Sequence, residues 1–148
     1  MYWLLSISIL IGVLATAEDL HRRQISNKTT AAAFALGLGA QSALHGIRGA
    51  GDALVGTFLG FVVFFIFFLL GGMGAGDIKL MAGFGAVLGA AQILTAAYLT
   101  AIVGAVFALF YLLARKLGGK LRNDAAEPEV IPYAPAISLG VLLSFAAR

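Results

Sequence analysis

Long uncharged runs alternate with short charged clusters along this chain, and that alternation predicts its architecture. Met1 to Ala17 carries no charge, and "EDLHRRQISNK" follows it. A second apolar run covers Thr29 to Leu44, a short "HGIRGAGD" interrupts it, and a third covers Ala53 to about Leu70, including "FVVFFIFFLL". After "GGMGAGDIK" comes a run of 35 residues without a charge, Leu80 to Ala114. As one helix this would reach about 52 Å, too long for a single crossing of a layer about 30 Å thick. It therefore reads as two helices with a tight turn near Gly89 to Gln92. The polar "RKLGGKLRNDAAEPEV" then precedes a short last span, Pro132 to Ala147. The pattern predicts an all-α integral membrane protein: a bundle of six transmembrane helices, residues 1–148 as a single domain, with no soluble domain.

Composition agrees with the pattern. The chain is 61% hydrophobic and only 11% charged, far from the balance of a water-soluble domain. The first run resembles a signal-peptide core, and "ATA" at Ala15 to Ala17 a cleavage site. "MYW" brings no basic residue, however, and its aromatics suit an interfacial anchor, so a retained helix is expected. Cysteine is absent, which excludes disulfides, cysteine-ligated zinc and thiol catalysis. The isolated His21 and His45 do not suggest a metal site, and nothing in the composition suggests a nucleic-acid partner.

Charge orients the bundle. Loops after the first, third and fifth spans hold Arg22, Arg23, Lys28, Lys79, Arg115, Lys116, Lys120 and Arg122, against Arg48 and Arg148 on the other side. An excess of basic residues marks the cytoplasmic side, so both termini are expected outside. Whatever the orientation, two crossings separate Asp19 from Asp77, which places them on one membrane face and Asp52 on the other. Asp124, Glu127 and Glu129 fall in the polar loop and read as solvated charges. Glu18, Asp19 and Asp77 remain at the membrane boundary, where a carboxylate is costly enough to suggest function.

Two aspartates brought together at a wet bundle edge can share one proton, because neighbouring like charges cannot both ionise. The ionised one then activates water and the protonated one polarises a carbonyl, which is peptide hydrolysis without a metal. Glycines beside Asp77 permit close backbone approach, and Lys79 can lie along the lipid interface or bias the ionisation of Asp77. Simpler roles are open to the same residues. Asp77 can be the N-cap of the following helix, and Asp19 can pair with Arg22 or Arg23. The glycine order is neither that of a dinucleotide fingerprint nor that of a phosphate-binding loop.

Three stretches carry a family resemblance. "GMGAGDIKLMAGFGAVLG", Gly72 to Gly89, resembles the GxGD signature of type IV prepilin peptidases, with Gly74, Ala75, Gly76 and Asp77 as its core and Lys79-Leu80 as its continuation. "DLHRRQISN", Asp19 to Asn27, is similar to that family's first-aspartate motif. "IPYAPAISLG", Ile131 to Gly140, resembles its Pro-aromatic segment. Ser26 stands where the family usually has proline, which suggests a more flexible loop after Asp19, and Ala134 where glycine is common.

The resemblance implies an intramembrane aspartic endopeptidase of the bacterial inner membrane. Its catalytic pair would be Asp19 and Asp77, supported by the loop residues Gly74, Gly76 and Lys79. The partner would be a prepilin or pseudopilin helix with a basic leader, cut at the cytoplasmic face. The small size resembles the short Flp/Tad-type branch, which implies cleavage without N-methylation and therefore no cofactor. A presenilin-like protease shares the GxGD element but expects a Tyr-Asp pair inside a helix. A small ion-coupled carrier, or a noncatalytic subunit of pilus or secretion assembly, is the alternative from another class. A carrier expects carboxylates near the bilayer midplane and repeat symmetry between halves, whereas these aspartates sit at span ends and no internal repeat is visible. The glycine rows Gly56, Gly60 and Gly85, Gly89 are expected to pack bundle helices.

Overall fold

The computed structural model describes residues 2–71, 73–117 and 133–147, with the side chains of 111 and 114–117 excepted. The polar segment 118–132, with Asp124, Glu127 and Glu129, lies outside the described residues, as do Gly72 and Pro132. The described residues form four helices: α1 (Tyr2–Arg22), α2 (Asn27–Leu69), α3 (Ala75–Leu117) and α4 (Ala134–Ala146). No strand occurs among the described residues. Among the described residues three helices are long and apolar enough to cross a membrane: Tyr2–Arg22, Asn27–Leu69 and the Ala75–Phe110 part of α3. α4 has 13 residues and so covers about 20 Å.

Both α2 and α3 have 43 residues and would reach about 65 Å if straight. Neither is straight. Each is broken at a single glycine with a backbone no α-helix contains: Gly46 at φ 62°, ψ −143° and Gly89 at φ 78°, ψ 175°. A positive φ strains residues with a side chain and is natural for glycine. The expected polar interruption at 45–52 thus shrinks to one residue, and Ile47 to Asp52 already belong to the next helical stretch. The corner is tight, because a Cβ on Gly49 would land on the carbonyl oxygen of Gln41, one turn before the break. The turn expected near Gly89 to Gln92 contracts to Gly89 alone. Across it Asp52 accepts a hydrogen bond from the Ala90 N–H at 3.1 Å, which satisfies a donor freed by the break.

The first half of α3 is the central post of the bundle. Ile78, Leu80, Met81, Phe84, Ala86, Val87 and Leu88 are all buried, an all-round apolar burial that a surface helix would not show. Glycines let both halves of α2 approach it: Gly37 lies against Ala86 and Val87, Gly60 against Met81, and Gly56 against Gly85 and Gly89. The expected packing role of these small-residue rows is therefore what the structure contains. The aromatic run of α2 behaves differently along its own circumference. Phe64 is 2% exposed while Phe61, Phe65, Phe67 and Phe68 are 38–43% exposed, so one ring enters the core and the others face outward, as apolar side chains do toward lipid. Beyond Gly89, α3 packs on α4 where Thr100 meets Gly140, and α4 packs on α1 where Ser138 meets Gly12.

Candidate active site

α1 continues past the expected end of its span, through Glu18 and Asp19 to Arg22. It closes with the Arg23 N–H donating to the Asp19 carbonyl at 2.8 Å, Arg23 itself taking φ 51°. This extra turn carries Asp19 inward, to 7% exposure. Its Oδ2 accepts the Ala134 N–H at 3.0 Å, one of the first donors of α4 without an intrahelical partner. The carboxylate of α1 therefore holds the start of α4, a chain separation of 115 residues.

Asp77 is 8% exposed and sits in the first turn of α3, not in the preceding loop. Its Oδ2 accepts the Gly74 N–H at 3.1 Å, and its own N–H donates to the Gly74 carbonyl at 3.1 Å. With Gly74 as N-cap, Asp77 is the third helical residue and reaches back as the acidic partner of a capping box does. The N-cap role considered for Asp77 is thus corrected, because α3 starts two residues before it, at Ala75.

Both aspartates line one cavity of about 310 Å³, together with Gln24, Ile25, Gly74, Gly76 and Tyr133. The glycines set its floor: a Cβ on Gly74 would stand 3.5 Å from Asp77 Oδ2, and one on Gly76 would press on Ile25 at 3.3 Å. Lys79 is not part of this lining. It is exposed and donates from Nζ to Asn27 Oδ1 at 3.0 Å, tying α3 to the start of α2. Asp52 belongs to other cavities, with His45 and Arg48 in one and Gln92 in another. It contacts α3 at Ala90, 13 residues beyond Asp77, or about 19 Å along a helix.

Two residues outside the expected catalytic pair bear on the site. Tyr133 lines the cavity from the residue before α4 and lies over Gly104, where an added Cβ would come within 2.5 Å of the phenol oxygen. The Pro-aromatic segment was the signal for it. Glu18 is the second. Its Oε2 accepts the Ser26 N–H at 2.8 Å, and its Oε1 accepts the hydroxyls of Ser26 at 3.0 Å and Thr29 at 2.8 Å. Ser26 in turn caps α2, with Oγ accepting the Thr29 N–H at 3.2 Å. Ser26 has φ −70°, a value proline would share, but proline has no N–H to give Glu18. The serine thus ties down the loop after Asp19 that its presence suggested would be loose. Glu18→Ala removes a charged acceptor from three donors and is expected to cost about 1–3 kcal/mol, seen as a lower unfolding midpoint in detergent, while Glu18→Gln recovers part of it.

Fold and site together define an all-helical membrane protein with two buried carboxylates facing one cavity. The model of the type IV leader peptidase family matches residues 4–109, and the chain belongs to that family. It is similar to the prepilin leader peptidase/N-methyltransferase of Bacillus subtilis (strain 168), at 39% identity over 75 residues. That alignment covers 51% of this chain and 27% of the relative, so the chain matches about a quarter of a longer protein. No solved structure matches the chain.

Proposed function

We propose that the protein is an aspartic endopeptidase that removes the basic leader from type IV, Flp-type prepilins at the cytoplasmic membrane face, without N-methylating the product. The observation that carries this reading is the shared cavity, in which Asp19 and Asp77 arrive from separate helices, each fixed by a backbone N–H. Each carboxylate is held by a backbone N–H of its own, which supports a pair positioned by the fold and not by the peptide. The two carboxyl groups hold one proton between them. The ionised group removes a proton from water as the oxygen attacks the scissile carbonyl, and the protonated group donates to the carbonyl oxygen. Collapse of the tetrahedral intermediate breaks the C–N bond, with a proton passing to the leaving amine.

The membrane arrangement belongs to the same proposal. Straight, α2 and α3 would each be too long for one crossing of a layer about 30 Å thick, so on this reading each crosses twice, turning at Gly46 and Gly89. With α1, and with the 13-residue α4 as a short span that needs the bilayer to thin around it, this makes six. The excess of Arg and Lys then puts the Asp19 and Asp77 end inside and both termini outside. That is where a cationic leader stays while the apolar helix after it lies in the bilayer.

The test is reconstitution of the purified protein in liposomes with a tagged Flp-type prepilin. Cleavage is expected at the leader junction by mass spectrometry. With S-adenosylmethionine added, the mature amino terminus is expected to show no methyl mass increment. An uncut prepilin rejects the peptidase reading, and a methylated product rejects the cleavage-only assignment.

A further inference from the structure

An apolar groove of about 420 Å³ runs between α1 and α4 on the outside of the bundle. Its floor is made of small residues in close approach. A Cβ on Gly12 would stand 3.1 Å from the Cβ of Ser138, and the Ser138 hydroxyl donates to the Gly12 carbonyl at 3.2 Å. The Thr16 and Ser138 hydroxyls lie 3.3 Å apart, so the polar atoms of the floor are engaged with one another and the groove offers hydrocarbon to whatever fills it. Its walls are exposed: Val13 is 62% and Leu139 43% exposed.

The position of the groove says more than its polarity. At one end it is lined by Leu20 and Pro135, the neighbours in sequence of Asp19 and Ala134, whose hydrogen bond joins α1 to α4. Asp19 and Tyr133 line the carboxylate cavity. Groove and cavity therefore flank the same α1–α4 junction, one on the lipid side and one on the bundle side. From Leu20 back to Ile9 the groove follows α1 over twelve residues, about 16 Å or three helical turns. A lipid chain has no reason to end at the carboxylate. A peptide whose scissile bond is in the cavity and whose continuation is an apolar helix must leave at that point.

We propose that this groove seats the first turns of the substrate's apolar helix, the segment directly after the scissile bond, and that α1 and α4 together are its docking surface. The proposal rests on the peptidase reading. The close Gly12–Ser138 approach keeps α1 and α4 near enough to leave a furrow that a third helix can enter, and small residues are what membrane helices use for such approach.

Because the chain has no cysteine, single thiols report position without background. Val13→Cys and Leu139→Cys, each combined with Asp77→Asn to hold uncut substrate, are mixed in membranes with a tagged prepilin carrying one cysteine in the first three turns of its apolar helix. Phe58→Cys, on α2 and 65% exposed, is the control facing lipid elsewhere. Oxidative crosslinking is expected at Val13 and Leu139 at least tenfold above Phe58, and excess cysteine-free prepilin is expected to compete it away. Equal crosslinking at all three, or none at Val13 and Leu139 while the cysteine-free wild type cleaves the same prepilin, overturns the docking site and leaves the groove to lipid. If the wild type does not cleave, the peptidase reading falls and this proposal falls with it.

Discussion

Asp19→Asn and Asp77→Asn are each expected to lower leader removal by a factor on the order of 10³, with the protein still folded. Asparagine keeps an oxygen acceptor of the same size, so the Ala134 and Gly74 N–H groups retain their partners. What it removes is the ability to hold or release a proton. The variants therefore separate the chemistry from the capping role both carboxylates also play. Co-expression with a tagged prepilin, read by gel shift and mass spectrometry, measures the loss, and thermal unfolding in detergent checks the fold. A variant that cleaves at the wild-type rate identifies its aspartate as a capping residue only and removes it from the proposed dyad. Silent behaviour of both, in a protein that supports pilus assembly, returns the reading to a noncatalytic subunit.

The second large effect is expected at the crossing of α2 and α3. Gly56 and Gly85 meet backbone to backbone, so that a Cβ on either would fall on the carbonyl oxygen of the other. Nothing flexible stands there to give way. Gly85→Val is expected to cost upward of about 3 kcal/mol, at or beyond the upper end of ordinary overpacking, and to abolish monodisperse protein on size exclusion in detergent. Gly51→Ala is the contrast. It has no atom within 4 Å of an added Cβ, lies inside a helix, and is expected to be neutral or to stabilise by roughly 0.5–1 kcal/mol. If both substitutions behave alike, the close crossing is not a determinant of stability.

The legible features were those that the chain expresses locally. An uncharged run declares a membrane helix because every residue in it has a hydration free energy of its own, independent of neighbours in space. The break near Gly89 was readable for a similar reason, since run length exceeded what a bilayer accommodates. Helix boundaries were less readable. The 45–52 segment has the charges of a loop, yet Ile47 to Asp52 are helical, with Asp52 bonded across one corner to the Ala90 N–H and Gly49 packed closely on Gln41 across the other. Likewise Asp77 reads as a loop residue or N-cap until the Gly74 pairing places it in the first turn of α3.

Sequence alone determined the helical membrane class, the alternation of apolar runs with charged clusters, and the small-residue rows available for packing. Tertiary structure decided what each carboxylate touches. Asp19 holds the N–H of Ala134, Glu18 gathers the start of α2, and Tyr133 closes the cavity from beside Gly104. These are pairings between distant parts of the chain, set by which helix faces the packing of α3 leaves adjacent. Hydropathy and spacing carry no term for that, because a single residue's transfer free energy does not depend on which helix lies beside it.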